Sequence, residues 1–299
     1  MAYVKVDLSA LPAPTILEQI SFEDILADLK ATVATLFPSI EPVLQLESEP
    51  AVKVLQACAA YVMMTRARVN DAAKGMLLAY AEGSDLDQLG ALLGVERKVL
   101  ELETDTTPAV YENDTEFRDR IQLALEGFST AGPRGAYEFH ALSAHPDVMD
   151  VFVAGPGTPG LTVEAGTVEV YVLGRNGDGT PTAEILTDVT AALNDEEVRP
   201  LCDTVIVAGA TISPFTVVAQ LHVQPGPGSE VILNEAQAAL DEYLTTVHRI
   251  GATVALSGIH AALHQSGVIN VTVTNPSADI VPAPNVAPYA TSTSITIAG

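Results

Sequence analysis

Two histidines, His260 and His264, stand four residues apart, the spacing that puts two imidazoles on one helix face and can hold zinc. A zinc protease also needs a glutamate directly after the first histidine as general base, and that position is Ala261. Gly174-Arg175-Asn176-Gly177-Asp178-Gly179-Thr180-Pro181 has the glycine content of loops that wrap phosphate at a helix N-terminus. It lacks the Lys-Ser/Thr ending of a P-loop, the spacing of a dinucleotide fingerprint and the spaced oxygen ligands of a calcium loop. Thr180 as helix cap with Pro181 in the first turn predicts a plain strand-to-helix connection instead. Ser129, Ser143 and Ser257 lie in stretches that also hold histidines, but the exposed Gly-x-Ser-x-Gly elbow of a nucleophile is absent. Asp195-Glu196-Glu197 falls at a predicted helix end and reads as a solvated cluster that, near Arg199, could serve an interface. No catalytic, cofactor-binding or metal-ligating residue is assigned, and the chain is not expected to be an enzyme.

The elements that would position these groups change character along the chain. Residues 1–20, with Pro12 and Pro14, read as an extended arm. Ser21 then offers a helix cap, with Glu23 and Asp24 in the first turn. Phe22, Ile25, Leu26, Leu29, Val33 and Leu36 recur at three- and four-residue steps and form one apolar stripe, a candidate interface. Ser48 and Pro50 mark a second, long helix reaching to about Tyr80. A third opens at Ser84 and closes at Gly94, and a fourth is capped by Asp114 with Phe117, Ile121, Leu125 and Phe128 on one side.

From Val148 the period switches to two, with strands predicted at 148–153, 168–173, 204–207, 216–223 and 268–273, and helices at about 182–194, 230–247 and 257–266 between them. Residues 166–172, a helix, then 203–205 echo residues 215–223, a helix, then 252–254. Residues 136–153 and 259–273 likewise both read as a helix ending in histidine, a turn and a valine-rich strand. The expected fold is α+β, an N-terminal all-helical region followed by two small mixed α/β modules. The expected divisions are 1–110, 111–210 and 211–299, the last ending in a Pro-, Ala-, Ser- and Thr-rich tail with a possible edge strand at 293–297.

Composition narrows the function classes. With 14 basic against 38 acidic residues the net charge is -24, which repels phosphate and argues against nucleic-acid binding. All five lysines fall in the first hundred residues, so the two ends should meet different partners. Cys58 and Cys202 sit in apolar contexts and are expected to be small buried hydrophobes. Gly155-Pro156-Gly157 and Gly226-Pro227-Gly228 read as loops. No run approaches a membrane span and no basic run opens a leader, so a soluble chain without membrane contact is expected.

Arg68-Val69-Asn70-Asp71-Ala72-Ala73, Gly83-Ser84-Asp85-Leu86-Asp87-Gln88-Leu89-Gly90-Ala91-Leu92, Phe117-Arg118-Asp119-Arg120-Ile121 and Gly127 through Pro133 together resemble the phage baseplate assembly protein J family. Gly174–Pro181, Val198-Arg199-Pro200-Leu201-Cys202-Asp203 and Ser257–His264 extend the likeness over nearly the whole chain. The resemblance implies a subunit of the baseplate wedge of a contractile tail, assembled in the host cytoplasm. Its N-terminal helices would bundle with a second copy and another wedge protein, and its C-terminal domain would meet neighbouring wedges around the hub. It carries over no active site and no cofactor. A tail-tip hydrolase or a receptor-binding module of the same particle is the alternative.

Overall fold

The computed structural model describes residues 6–12, 20–104, 106–128, 132–196, 198–223 and 229–298. Pro14 of the arm, Ser129, Glu197 and Gly226-Pro227-Gly228 lie outside them. The chain divides into two compact units, Val4–Arg97 with Asn113–Arg118, and Lys98–Glu112 with Asp119–Gly299.

The first unit is helical. Helix α1 (Phe22–Leu36) opens as expected, the Ser21 hydroxyl accepting the Asp24 N–H at 3.3 Å. Helix α2 (Pro50–Gly75) has 26 residues, about 39 Å at the usual rise, and starts with proline where no backbone donor is needed. Helix α3 (Gly83–Leu92) ends before Gly94, whose φ of +71° is the left-handed closing conformation. Helix α4 (Asp114–Gly127) is capped by Asn113, whose Oδ1 accepts the Glu116 N–H at 2.9 Å. Asp114, expected as the cap, is the first helical residue, and its carboxylate is used elsewhere. It accepts the Gly83 N–H at 3.1 Å and pairs with Arg97 at 2.7 Å, while the Arg97 guanidinium also meets Asp87 at 2.8 Å and lies over the Phe117 ring. Arg118 donates to the carbonyls of Leu78 and Ala81, both at 2.7 Å, satisfying backbone acceptors beyond the end of α2.

The second unit begins with a hairpin that the periodicity missed, β1 (Val99–Glu101) against β2 (Val110–Tyr111). Glu112 follows it and is buried, holding Arg120 of α4 through two hydrogen bonds of 2.9 and 2.8 Å. Next come α5 (Arg134–Ala144), β3 (Val148–Ala154), β4 (Thr167–Gly174), α6 (Ala183–Leu193) and β5 (Thr204–Gly209). The sheet order is β3-β4-β5, antiparallel then parallel. After Ala210 alone, the chain enters β6 (Thr211–Val223), α7 (Ser229–Val247), α8 (Leu256–Leu263), β7 (Val268–Asn275) and β8 (Val286–Ile297). This sheet runs β7-β6-β8, again antiparallel then parallel. In each sheet the core lies between the strands and a helix pair: Ile185, Val189, Leu193, Tyr137 and Ala141 cover the first, Ala236, Leu240, Ile259 and Leu263 the second. The expected α+β fold is borne out.

The two modules repeat one plan, but the matching of their edges differs from the sequence echo. Residues 252–254 form no second strand: Val254 makes only an isolated bridge to Ile280. The place that β5 takes beside β4 is taken beside β6 by β8, the C-terminal tail, in register from Thr211↔Val286 to Leu221↔Ile297. The expected edge strand 293–297 is thus the end of one that begins at Val286. Pro288 is tolerated there because an edge strand has a side where no N–H is required.

Candidate functional site

The groups chosen for their chemistry are spread over α5, α6, α8 and the loops beside them. His264 closes α8 as its C-cap, exposed, its N–H on the His260 carbonyl at 3.0 Å. Among the described residues no three His, Cys, Asp or Glu side chains gather where a metal could sit. Ser143 receives a hydrogen bond from Arg120 at 3.4 Å, and its neighbour His145 accepts the Asp147 N–H through Nδ1 at 3.0 Å. Ser257 is exposed in the first turn of α8. Asp195 and Glu196 are exposed just beyond α6, and Arg199 bonds Asn194 at 3.1 Å.

In the glycine loop several backbone amides are already hydrogen-bonded within the protein. Gly174 N–H reaches the Gly179 carbonyl at 2.7 Å, Arg175 N–H the Asp147 carbonyl at 2.8 Å, and Thr180 N–H the Asp178 carboxylate at 3.0 Å. The helix cap is Thr182, accepting the Ile185 N–H at 3.4 Å, so the expected cap at Thr180 lies two residues too early. Gly179, with φ +92°, is needed for a close approach: a Cβ there would fall 2.5 Å from Leu173 and 2.9 Å from His248 of α7's end. The loop is a surface against which the second module packs. Sequence reasoning missed that junction. Leu173, Ala210 and Ala287 form its buried apolar centre with Ile212 and Ile250 beside them.

Of the candidate stripe, Ile25 and Leu26 are buried against Ala59 of α2, and Phe22 and Leu29 pack beside them with Leu55, Val62 and Met63. Val33 is half-buried, whereas Leu36 is 69% exposed next to Phe37 at 65%. The first two turns therefore serve α1 on α2, and the far end of the stripe opens to solvent. A second apolar surface lies on the outer side of α2, where Val54, Cys58, Tyr61, Met64 and Val69 are exposed. No charged residue occurs from Val54 to Thr65. That was the available signal, since one intramolecular stripe cannot absorb a helix that is apolar on most sides. Both cysteines are exposed rather than buried: Cys58 on this outer face, Cys202 in a loop beside the fully exposed Leu201.

The second sheet carries another unusual surface. Strands β6, β7 and β8 contain no Asp, Glu, Lys or Arg, in a chain of net charge -24. One sheet face is roofed by α7 and α8, while Val218, Gln220, Thr272, Ser294 and Thr296 are exposed, and among the described residues β7 and β8 each pair with β6 alone.

Comparison with known proteins gives the family. Residues 47–104 match the Baseplate J-like N-terminal domain, 129–209 the Baseplate J-like central domain and 215–296 the Baseplate J-like protein C-terminal domain. Baseplate protein J of Escherichia phage P2 is 42% identical over 285 residues, 92% of each chain. The chain belongs to the baseplate J family. A chain of the anti-feeding prophage baseplate, seen by cryo-electron microscopy, matches 64% of this chain and 43% of its own length at 13% identity with a TM-score of 0.37. In this baseplate J-family chain the β3-β4-β5 sheet falls in the central domain and the charge-free sheet in the C-terminal one. The family makes the chain a structural protein of a phage-tail baseplate, and no described helix is long and apolar enough to cross a membrane.

Proposed function

We propose that this chain is a subunit of the baseplate wedge of a contractile tail, assembled in the host cytoplasm and acting through subunit contacts rather than bond chemistry. Its α1 stripe and the outer face of α2 join a helical bundle with a second copy and another wedge protein. Its C-terminal module meets neighbouring wedges around the hub. The observation that carries the reading is the exposed, uncharged face of Val54, Cys58, Tyr61 and Met64, because monomeric proteins rarely leave so continuous an apolar helix face in water. Helices that expose such a stripe bury it by packing on other helices. The charge-free second sheet supports the C-terminal contact, since two copies of an acidic chain approach with least repulsion where neither carries charge.

Leu29 cannot serve as a clean probe of the bundle, because it packs inside the helical unit. Tyr61→Asp can, as Tyr61 is 73% exposed. The variant is expected to keep the circular-dichroism spectrum of the parent chain and to fail to join other wedge components on co-expression. Normal co-assembly of Tyr61→Asp would overturn the bundle assignment.

A further inference from the structure

The β1-β2 hairpin is fastened at both ends and bare between them. At its base the Glu112 N–H reaches the Lys98 carbonyl at 3.0 Å, and the Lys98 N–H reaches the Glu112 carboxylate at 3.2 Å. The Lys98 ammonium also donates to the carbonyls of His145 and Val148, at 3.2 and 3.4 Å. At its tip the Thr104 N–H reaches the Thr107 carbonyl at 2.9 Å, and the Thr107 N–H the Thr104 hydroxyl at 3.1 Å. Between these closures Val99 stands opposite Tyr111 and Glu101 opposite Val110. All four are exposed, and Leu102 is 80% exposed. Among the described residues each strand pairs only with the other. Two strands without a third, or without a helix laid on them, are marginal in water. An open edge flanked by exposed apolar side chains is a template for another strand.

We propose that the outer edge of β1 receives a strand from another baseplate protein, an extended segment in which lysine or arginine alternates with apolar residues. The edge itself sets that chemistry. In Val99-Leu100-Glu101-Leu102-Glu103 an extended chain puts Glu101 and Glu103 on one side and Leu100 and Leu102 on the other. Residues 99–111 hold three acidic residues and no basic one. No ion pair joins Glu101 or Glu103 to another described residue. A second copy of the hairpin laid on this edge would set like charges against each other, whereas a basic strand sets opposite charges there. In strand addition the main-chain hydrogen bonds give affinity and the alternate side chains choose the partner. The closed base and tip hold the edge extended beforehand, which lowers the ordering cost of docking. The inference rests on the reading of the chain as a baseplate subunit and adds a contact separate from α1 and α2.

The test is hydrogen exchange of residues 99–103, read by mass spectrometry in the purified free chain and in intact tail particles, with a benzophenone crosslinker placed at position 102 in a parallel sample. Protection should rise at least about tenfold on assembly. The crosslink should enter a segment of another baseplate protein where basic and apolar residues alternate. Equal protection in the free and assembled chain would overturn the proposal. So would a crosslink to a second copy of this chain, to a helix or to an acidic segment. Protection already present in the free chain and lost on deleting residues 2–5 would make the chain's own N-terminal segment the occupant, and would overturn it too. The double variant Glu101→Lys, Glu103→Lys should melt with the parent chain, since both sites are exposed, and should co-assemble poorly. Normal co-assembly of that variant would count equally against the basic strand. Particles that contain the chain but leave the hairpin unprotected overturn this contact alone, whereas complete particles that lack the chain overturn the baseplate reading with it.

Discussion

Between α1 and α2 the buried centre is Ile25, Leu26 and Ala59 with five half-buried neighbours, whereas each α/β module gathers ten buried side chains between a three-stranded sheet and two helices. The surfaces differ in the opposite sense. The helical unit exposes Leu36, Phe37, Val54, Tyr61, Met64, Val69, Met76 and Leu92, while the second sheet exposes mainly Ser, Thr, Asn and Gln. On the proposed reading, partner helices complete the thin α1–α2 contact with its uncovered apolar surface, whereas the second module, with a full core under a neutral polar sheet, presents a ready-made face.

Substitutions can break or sharpen that contrast, and the deepest should be Arg120→Ala in the second unit. It leaves Glu112 buried without its ion partner, a loss of about 4 kcal/mol, to be read from urea denaturation of the isolated chain. A loss below about 1 kcal/mol would mean that water reaches the pair and that the unit is less closed than described. Leu221→Ala, in the core of the second sheet, should cost about 3 kcal/mol in the same assay and lower the transition of the α/β unit. Ser21→Ala removes the cap of α1 and should cost about 1 kcal/mol, seen as earlier loss of helical signal with the sheet transition unmoved. Tyr61→Asp should change the stability of the free chain by no more than about 0.5 kcal/mol while abolishing co-assembly. If it destabilised the free chain as much as Leu221→Ala, the outer face of α2 would be an internal surface and the contrast would fail.

How much of this was legible depended on whether the signal was local. Ser21, Pro50 and Gly94 announced helix ends because capping is decided within a few residues, and the valine-rich strands β3, β4 and β7 stood out by composition. Thr182 was displaced to Thr180 because either hydroxyl satisfies the same rule, and the backbone turn at Gly179 chose between them. The composition of the tail points only to a possible edge strand at 293–297, since Pro288 and the Ser/Thr alternation of β8 gain their meaning only from β6, more than seventy residues earlier in the register. The stripe on α1 was visible, but its sharing between α2 and solvent was not. The two exposed cysteines show the same limit: apolar neighbours in sequence do not fix which side of a helix is covered.

The most direct test of the account is cryo-electron microscopy of intact contractile particles in which this chain has been identified by mass spectrometry. The account predicts stoichiometric copies around the hub, with Val54, Tyr61 and Met64 of α2 covered by helices of other subunits. Complete particles that lack the chain, or that hold it with this face of α2 open to solvent, would contradict it.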